Sequence, residues 1–78
     1  MITIRYFGQL RELAGKNEEQ IVGDETQPDE LYASLREQYH FPLAKEHLRV
    51  AVNDEFASWE TPIRDGDQIV FIPPVAGG

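Results

Sequence analysis

The residues most suited to chemistry stand at the end of the chain, in Pro73-Pro74-Val75-Ala76-Gly77-Gly78. Consecutive prolines force an extended exit from whatever precedes them. The residues after them are small, and the last two have no side chain, so enclosing walls can approach the backbone from every side. Six residues from Pro73 reach about 20 Å. That is a shape for threading a terminus into another protein's tunnel. The only reactive group such a terminus delivers is the Gly78 carboxylate. A free carboxylate is a poor electrophile and must first be activated, as an acyl-adenylate formed from ATP with Mg²⁺. A sulfur donor that displaces AMP leaves a thiocarboxylate on Gly78, whose sulfur is a competent nucleophile. A lysine acceptor instead gives an isopeptide-linked conjugate. The chain carries no phosphate-cradling glycine loop of its own, so a partner enzyme has to supply the nucleotide step.

No other constellation competes with this one. There is no cysteine, hence no disulfide, no thiolate site, and no route for sulfur to ride as a cysteine persulfide. His40 and His47 lie in a charged, irregular stretch without a cysteine partner and read as surface histidines rather than metal ligands. Asp65 and Asp67 flank Gly66 and read as a turn, not as a carboxylate pair. Ser34 and Ser58 have no nucleophile motif around them. With 78 residues there is room for one domain with a modest core and little room for a deep pocket. Fourteen acidic residues against seven basic ones give a net charge of −7. That disfavours a nucleic-acid partner and favours partners with basic docking surfaces. No apolar run approaches membrane-helix length and Met1 to Phe7 is too short and polar for a signal peptide, so no membrane role and a cytoplasmic setting are expected.

The elements that must hold this terminus follow from periodicity. Ile2, Ile4 and Tyr6 alternate with Thr3, Arg5 and Phe7, a strand that Gly8 ends. Leu10, Leu13 and Ala14 mark one short helical turn over Gln9 to Ala14, closed by Gly15. Gln20 to Val22 reads as a brief second strand. Thr26 suits a helix N-cap, with Pro28, Asp29 and Glu30 in the first turn. Leu31, Leu35 and Tyr39 then share one face of the main helix, Gln27 to Gln38. His40 to His47 is irregular, and Pro42 discourages helix continuation. Leu48, Val50 and Val52 alternate with Arg49 and Ala51 in another strand, Asn53-Asp54-Glu55 turns, and Phe56 to Trp59 starts a return. Asp65-Gly66-Asp67 turns again into the last strand, Gln68 to Ile72.

One amphipathic helix covers one face of such a sheet. If Ile69 and Phe71 point at it, Val70 and Ile72 point the other way, and Phe7 does so by the same parity. Two arrangements are open. Phe7, Phe56 and Ile72 form an exposed apolar patch, or loops cover them as a satellite core.

Together these segments resemble the small, sulfur-carrier subunits of molybdopterin synthase, within the MoaD/ThiS β-grasp family. The likeness runs through Tyr6-Phe7-Gly8-Gln9-Leu10-Arg11-Glu12-Leu13-Ala14-Gly15, Val50-Ala51-Val52-Asn53, Asp65-Gly66-Asp67 and Phe71 to Gly78. The tail is the most specific part, since Gly-Gly alone is shared with other carriers and with protein modifiers. The resemblance implies an α+β, ubiquitin-like β-grasp fold, a mixed sheet packed on one main helix, with residues 1–78 as one domain and the tail extended from 73. It implies that an E1-like (MoeB-like) enzyme adenylates Gly78 with ATP and Mg²⁺ and that a sulfurtransferase relay supplies sulfur. The thiocarboxylate then enters a pocket of the large catalytic (MoaE-like) subunit. There it gives sulfur to cyclic pyranopterin monophosphate, two deliveries building the molybdopterin dithiolene. The assembly is a heterotetramer, and the small subunit is non-catalytic on its own and holds no cofactor or metal stably.

Residue by residue, the resemblance makes Gly78 the carrier and Gly77 the residue that permits passage. Phe7, Phe56 and Ile72 become apolar partner contacts, Arg11 a polar one, and Pro73, Pro74, Val75 and Ala76 the segment a partner encloses. Ile72 departs from the aromatic often found at its position. Also open are a carrier for thiamin synthesis or tRNA thiolation, a modifier that forms isopeptide bonds, and an inert interaction module.

Overall fold

The computed structural model describes residues 1–23 and 26–74. The elements run β1 (Ile2–Tyr6), α1 (Gly8–Ala14), β2 (Glu18–Ile21), α2 (Pro28–Tyr39), a 3₁₀ turn (Lys45–His47), β3 (Arg49–Val52), β4 (Glu55–Ala57) and β5 (Gln68–Ile72). They form a five-stranded mixed sheet in the order β2-β1-β5-β3-β4. The central pair, β1 with β5, is parallel, from Thr3 opposite Gln68 to Tyr6 opposite Phe71. The other pairings are antiparallel. This is the expected α+β, β-grasp arrangement.

Alternation sorts the strands as period two requires. Ile2, Ile4, Tyr6, Val50, Ile69 and Phe71 are buried on the face that meets Leu31, Tyr32 and Leu35 of α2. Tyr32, next to the expected stripe, is a core residue too: it stacks on Phe41 and lies 5.2 Å, ring to ring, from Phe71. Its hydroxyl donates to the Leu43 carbonyl at 2.6 Å. Phe41, in the segment read as irregular, is therefore buried.

Several boundaries differ from the sequence reading, each for a local reason. Helix α1 starts at Gly8, whose φ of 55° turns the strand directly into the helix. Strand β2 covers Glu18–Ile21 rather than Gln20 to Val22, and Val22 is exposed. Thr26 is not the N-cap of α2. Its backbone exchanges two hydrogen bonds with Ile63, which keeps it extended in an isolated bridge. Gln27 takes the cap position without a side-chain hydrogen bond. The first-turn donors are satisfied otherwise: Asp29 N–H donates to the Trp59 carbonyl, Glu30 N–H to Asp29 Oδ1, and Pro28 has none to satisfy. Helix α2 ends at Tyr39, and His40 closes it in the left-handed region. The β3–β4 turn is tighter than expected. Asn53 and Asp54 both take positive φ, and Glu55 already pairs with Val52. The return strand ends at Ala57, short of Trp59, which stacks on Phe71.

One inward position carries a carboxylate. Glu19 lies opposite Ile4 on the edge strand. It accepts hydrogen bonds from the hydroxyls of Tyr6, at 3.0 Å, and Tyr39, and Lys16 Nζ stands 3.0 Å from it. Burial pushes the Glu19 carboxyl up, but the three donors outweigh it and hold the group below its ordinary value of 4.5. Burial first, and then the Glu19 charge, push the Tyr6 hydroxyl well above its usual range. Because the folded pKa of Glu19 is depressed, its contribution is complete above its unfolded value and is lost as pH falls through the folded one. Glu19→Gln is expected to lower unfolding free energy by about 1–2 kcal/mol at neutral pH. The deficit should shrink below about pH 4, as read by urea unfolding at both pH values; an equal deficit at both would assign it to packing.

Candidate functional site

The sheet face opposite α2 is where the uncovered side chains meet. Register sets the row: Arg5 stands opposite Val70, Val70 opposite Ala51, and Ala51 opposite Phe56. One step along, Ile72 stands opposite Arg49. Parallel pairing makes β1 and β5 end together, so Phe7, directly after β1, arrives beside Ile72. Phe7, Phe56 and Ile72 line a groove of about 270 Å³ with Arg5, Ala51, Asp54 and Val70. Phe56 is 70% exposed and Phe7 42%. Of the two arrangements open from sequence, the exposed patch is the one present. Burying a side chain of this size against a partner contributes about 1.5–3 kcal/mol.

Two arginines frame the aromatic rings. The Arg5 guanidinium lies 5.5 Å from the Phe7 ring centre and that of Arg49 lies 5.7 Å from Phe56. Stacking of this kind holds an exposed ring in place. Arg11 is exposed on α1 and is not among the groove's lining residues. Sequence reasoning had passed over Arg5, Ala51 and Asp54. Parity alone sends Arg5 outward, but which strands flank β1 is decided by pairing across the chain.

The groove lies at the root of the tail. Strand β5 ends at Ile72; Pro73 is half-buried and Pro74 exposed. The Pro73 ring stands 3.4 Å from where a β-carbon on Gly8 would sit. Gly8 thus both turns the chain and seats the first residue of the tail, a second role beyond ending the strand. Val75, Ala76, Gly77 and Gly78 lie outside the described residues.

The remaining candidates fall into structural roles. Gly66 takes φ 94° between Asp65 and Asp67. Asp67 accepts from Arg64 N–H at 2.8 Å and Asn53 Nδ2 at 3.0 Å, which together hold its carboxyl below the usual range. Its own carbonyl accepts from Thr3 N–H. This turn clips β5 to the start of β1. Ser58 shares a hydrogen bond with Thr61 inside a turn, Ser34 is exposed on α2, and His40 and His47 are both exposed. Among the described residues no group of three His, Cys, Asp or Glu side chains is placed to hold a metal, and no helix is long and apolar enough to cross a membrane.

Comparison with known proteins agrees with this layout. The chain is 33% identical over 81 residues to the molybdopterin synthase sulfur carrier subunit of Escherichia coli (strain K12), covering 100% of both chains. It resembles a chain of the Helicobacter pylori complex of subunits 1 and 2 of molybdopterin-converting factor. There the TM-score is 0.68 at 29% identity, over 99% of this chain and 97% of that one. It also resembles small archaeal modifier protein 1 from Methanosarcina acetivorans, with a TM-score of 0.77 at 25% identity, over 99% and 95% of the two chains. The ThiS family matches residues 4–78, so a five-stranded grasp with an open apolar face and a trailing diglycine is, in this chain, that of a member of the ThiS family.

Proposed function

We propose that this protein is the sulfur carrier subunit of molybdopterin synthase. An E1-like enzyme, using ATP and Mg²⁺, joins AMP to the Gly78 carboxylate and releases pyrophosphate. The persulfide sulfur of a sulfurtransferase relay attacks the acyl-adenylate and displaces AMP, and a thiol then cleaves the resulting acyl disulfide, becoming a disulfide itself and leaving a thiocarboxylate. In the large subunit's pocket that sulfur attacks cyclic pyranopterin monophosphate, and water hydrolyses the resulting acyl–sulfur bond, so the sulfur stays on the pterin and Gly78 returns to the carboxylate. The small subunit contributes no acid, base or metal; it presents its end and docks through Phe7, Phe56 and Ile72 in the cytoplasm.

The observation that carries this reading is the tail root seated on Gly8 at the rim of the apolar groove. A partner that covers the groove has the chain's exit within its footprint. The full-length similarity to curated sulfur carrier subunits supports it. A second reading, conjugation of Gly78 to protein lysines, draws support from the likeness to the archaeal modifier; a thiamin or tRNA-thiolation carrier would dock and be activated in the same manner.

Incubation with an E1-like adenylating enzyme, ATP, Mg²⁺ and a sulfur source should exchange one oxygen for sulfur at Gly78, seen in the intact mass. An unchanged mass would sink the carrier reading, and lysine-linked adducts in extracts would favour the modifier. A chain with one residue appended after Gly78 should fold normally and transfer no sulfur. Full activity from it would count against the terminal carboxylate. Phe56→Asp should weaken binding of the large subunit by at least roughly 30-fold, near 2 kcal/mol. Its melting temperature should stay close to wild type, since the ring is exposed; a collapse of stability with unchanged affinity would return Phe56 to the core.

A further inference from the structure

A depression of about 580 Å³ between α2 and residues 40–46, larger than the groove, mixes Arg36, His40 and Lys45 with Asp29, Glu37 and Glu46. Those charges oppose one another and select no ligand. The apolar groove is different. In a chain with fourteen acidic residues, two basic side chains of this face, Arg5 in the groove's lining and Arg49 beside Phe56 at its edge, are matched to rings instead of carboxylates. Arg5 lies over Phe7 and Arg49 over Phe56. Among the described residues the ion pairs are Met1 with Asp65 and Lys16 with Glu19, and neither arginine enters one. Two carboxylates lie near. Glu18 is the register neighbour of Arg5 on β2, and Asp54 lines the groove. Neither comes within ion-pair distance of a guanidinium.

A guanidinium stacked on a ring keeps its fork of N–H donors at the ring's edge, free to take a carboxylate side-on. A partner that covers the groove and the exposed Phe56 ring takes water from Arg5, which lines the groove, and from Arg49, which lies over that ring, and an arginine buried without an anionic partner opposes binding. We infer that the surface seated on this groove is an apolar segment flanked by carboxylates, and that Arg5 and Arg49 are the residues that select it. The inference rests on the docking role proposed above and names the partner's chemistry. It runs against the whole-chain charge of −7, which by itself points to a basic partner. Long-range repulsion is screened beyond about 8 Å at physiological salt, whereas contact pairing at a desolvated groove is not. The whole chain and the groove therefore select for opposite signs, and the groove decides the bound state.

The test is the affinity of the full chain for the large subunit of molybdopterin synthase from the same genome, at about 50 mM and about 500 mM NaCl. Wild type is compared with Arg5→Gln/Arg49→Gln, Arg5→Lys/Arg49→Lys and Arg49→Glu. The double Gln variant is expected to bind about tenfold more weakly at both salt concentrations, because contact pairs shielded from water are little screened, and Arg49→Glu more weakly still. The double Lys variant, which keeps the charge but not the planar fork, should recover only part of the loss. Double Gln within twofold of wild type, or Arg49→Glu binding no more weakly than double Gln, overturns the inference while leaving docking intact. Failure of wild type to bind at all brings down both this inference and the docking reading. Sedimentation of the chain alone supplies the last arm. A Phe56-dependent dimer would assign the face to a second copy and overturn the inference, and a monomer supports it. The Gln and Lys pairs keep the test decisive should the charge reversal unfold.

Discussion

The parallel ladder between β1 and β5 is the constraint on which the rest is built. It joins the first strand to the last at the centre of the sheet, from Thr3–Gln68 to Tyr6–Phe71. Parallel neighbours cannot be linked by a tight turn, so every other element is spent on the crossover, and α2 is the part of it that covers the sheet. The inner faces of both central strands close on Leu31, Tyr32 and Leu35. Both central strands also stop at the same end of the sheet. That single fact brings Phe7 and Gly8 beside Ile72 and Pro73, and makes the exit of the tail a feature of the sheet's centre rather than of a frayed edge.

Two polar devices hold the ladder. At one end the Asp65-Gly66-Asp67 turn returns its backbone to β1, through Thr3 N–H on the Asp67 carbonyl and Gly66 N–H on that of Met1. At the other end Tyr6 reaches across to Glu19, which also gathers Tyr39 and Lys16 and so ties the edge strand, the sheet and α2 at one carboxylate. Asp65 and Asp67, which in the sequence could pass for a carboxylate pair, belong to the first of these devices.

The open face shows why local charge must be read separately from the total. A chain of net charge −7 places two arginines over the two most prominent aromatic rings of its uncovered face. Their placement depends on Arg5 and Arg49 falling at outward positions of β1 and β3, on either side of β5. Net charge governs the approach of a partner over distances of a Debye length, while the desolvated contact is governed by the few groups at the groove.

The elements themselves were legible because their signals are short-range. Alternation in Ile2–Tyr6 and Gln68–Ile72, the apolar face of α2, Gly15 as a helix stop and Gly66 in its turn depend on neighbours within a few residues. The boundaries that shifted did so where a distant segment intervened. Ile63 pulled Thr26 out of its cap, two tyrosines made Glu19 an inward strand residue, and Tyr32 and Phe41 were drawn into one aromatic core. At the site, sequence by itself determined the composition of the tail, the outward parity of Phe7, Val70 and Ile72, and the family likeness. Only tertiary pairing decided that Phe56 joins them from the far side of β3, that Arg5 and Arg49 frame them, and that Gly8 seats Pro73. Register between strands more than forty residues apart is set by the cooperative packing of a shared core, and no local pattern along the chain encodes it.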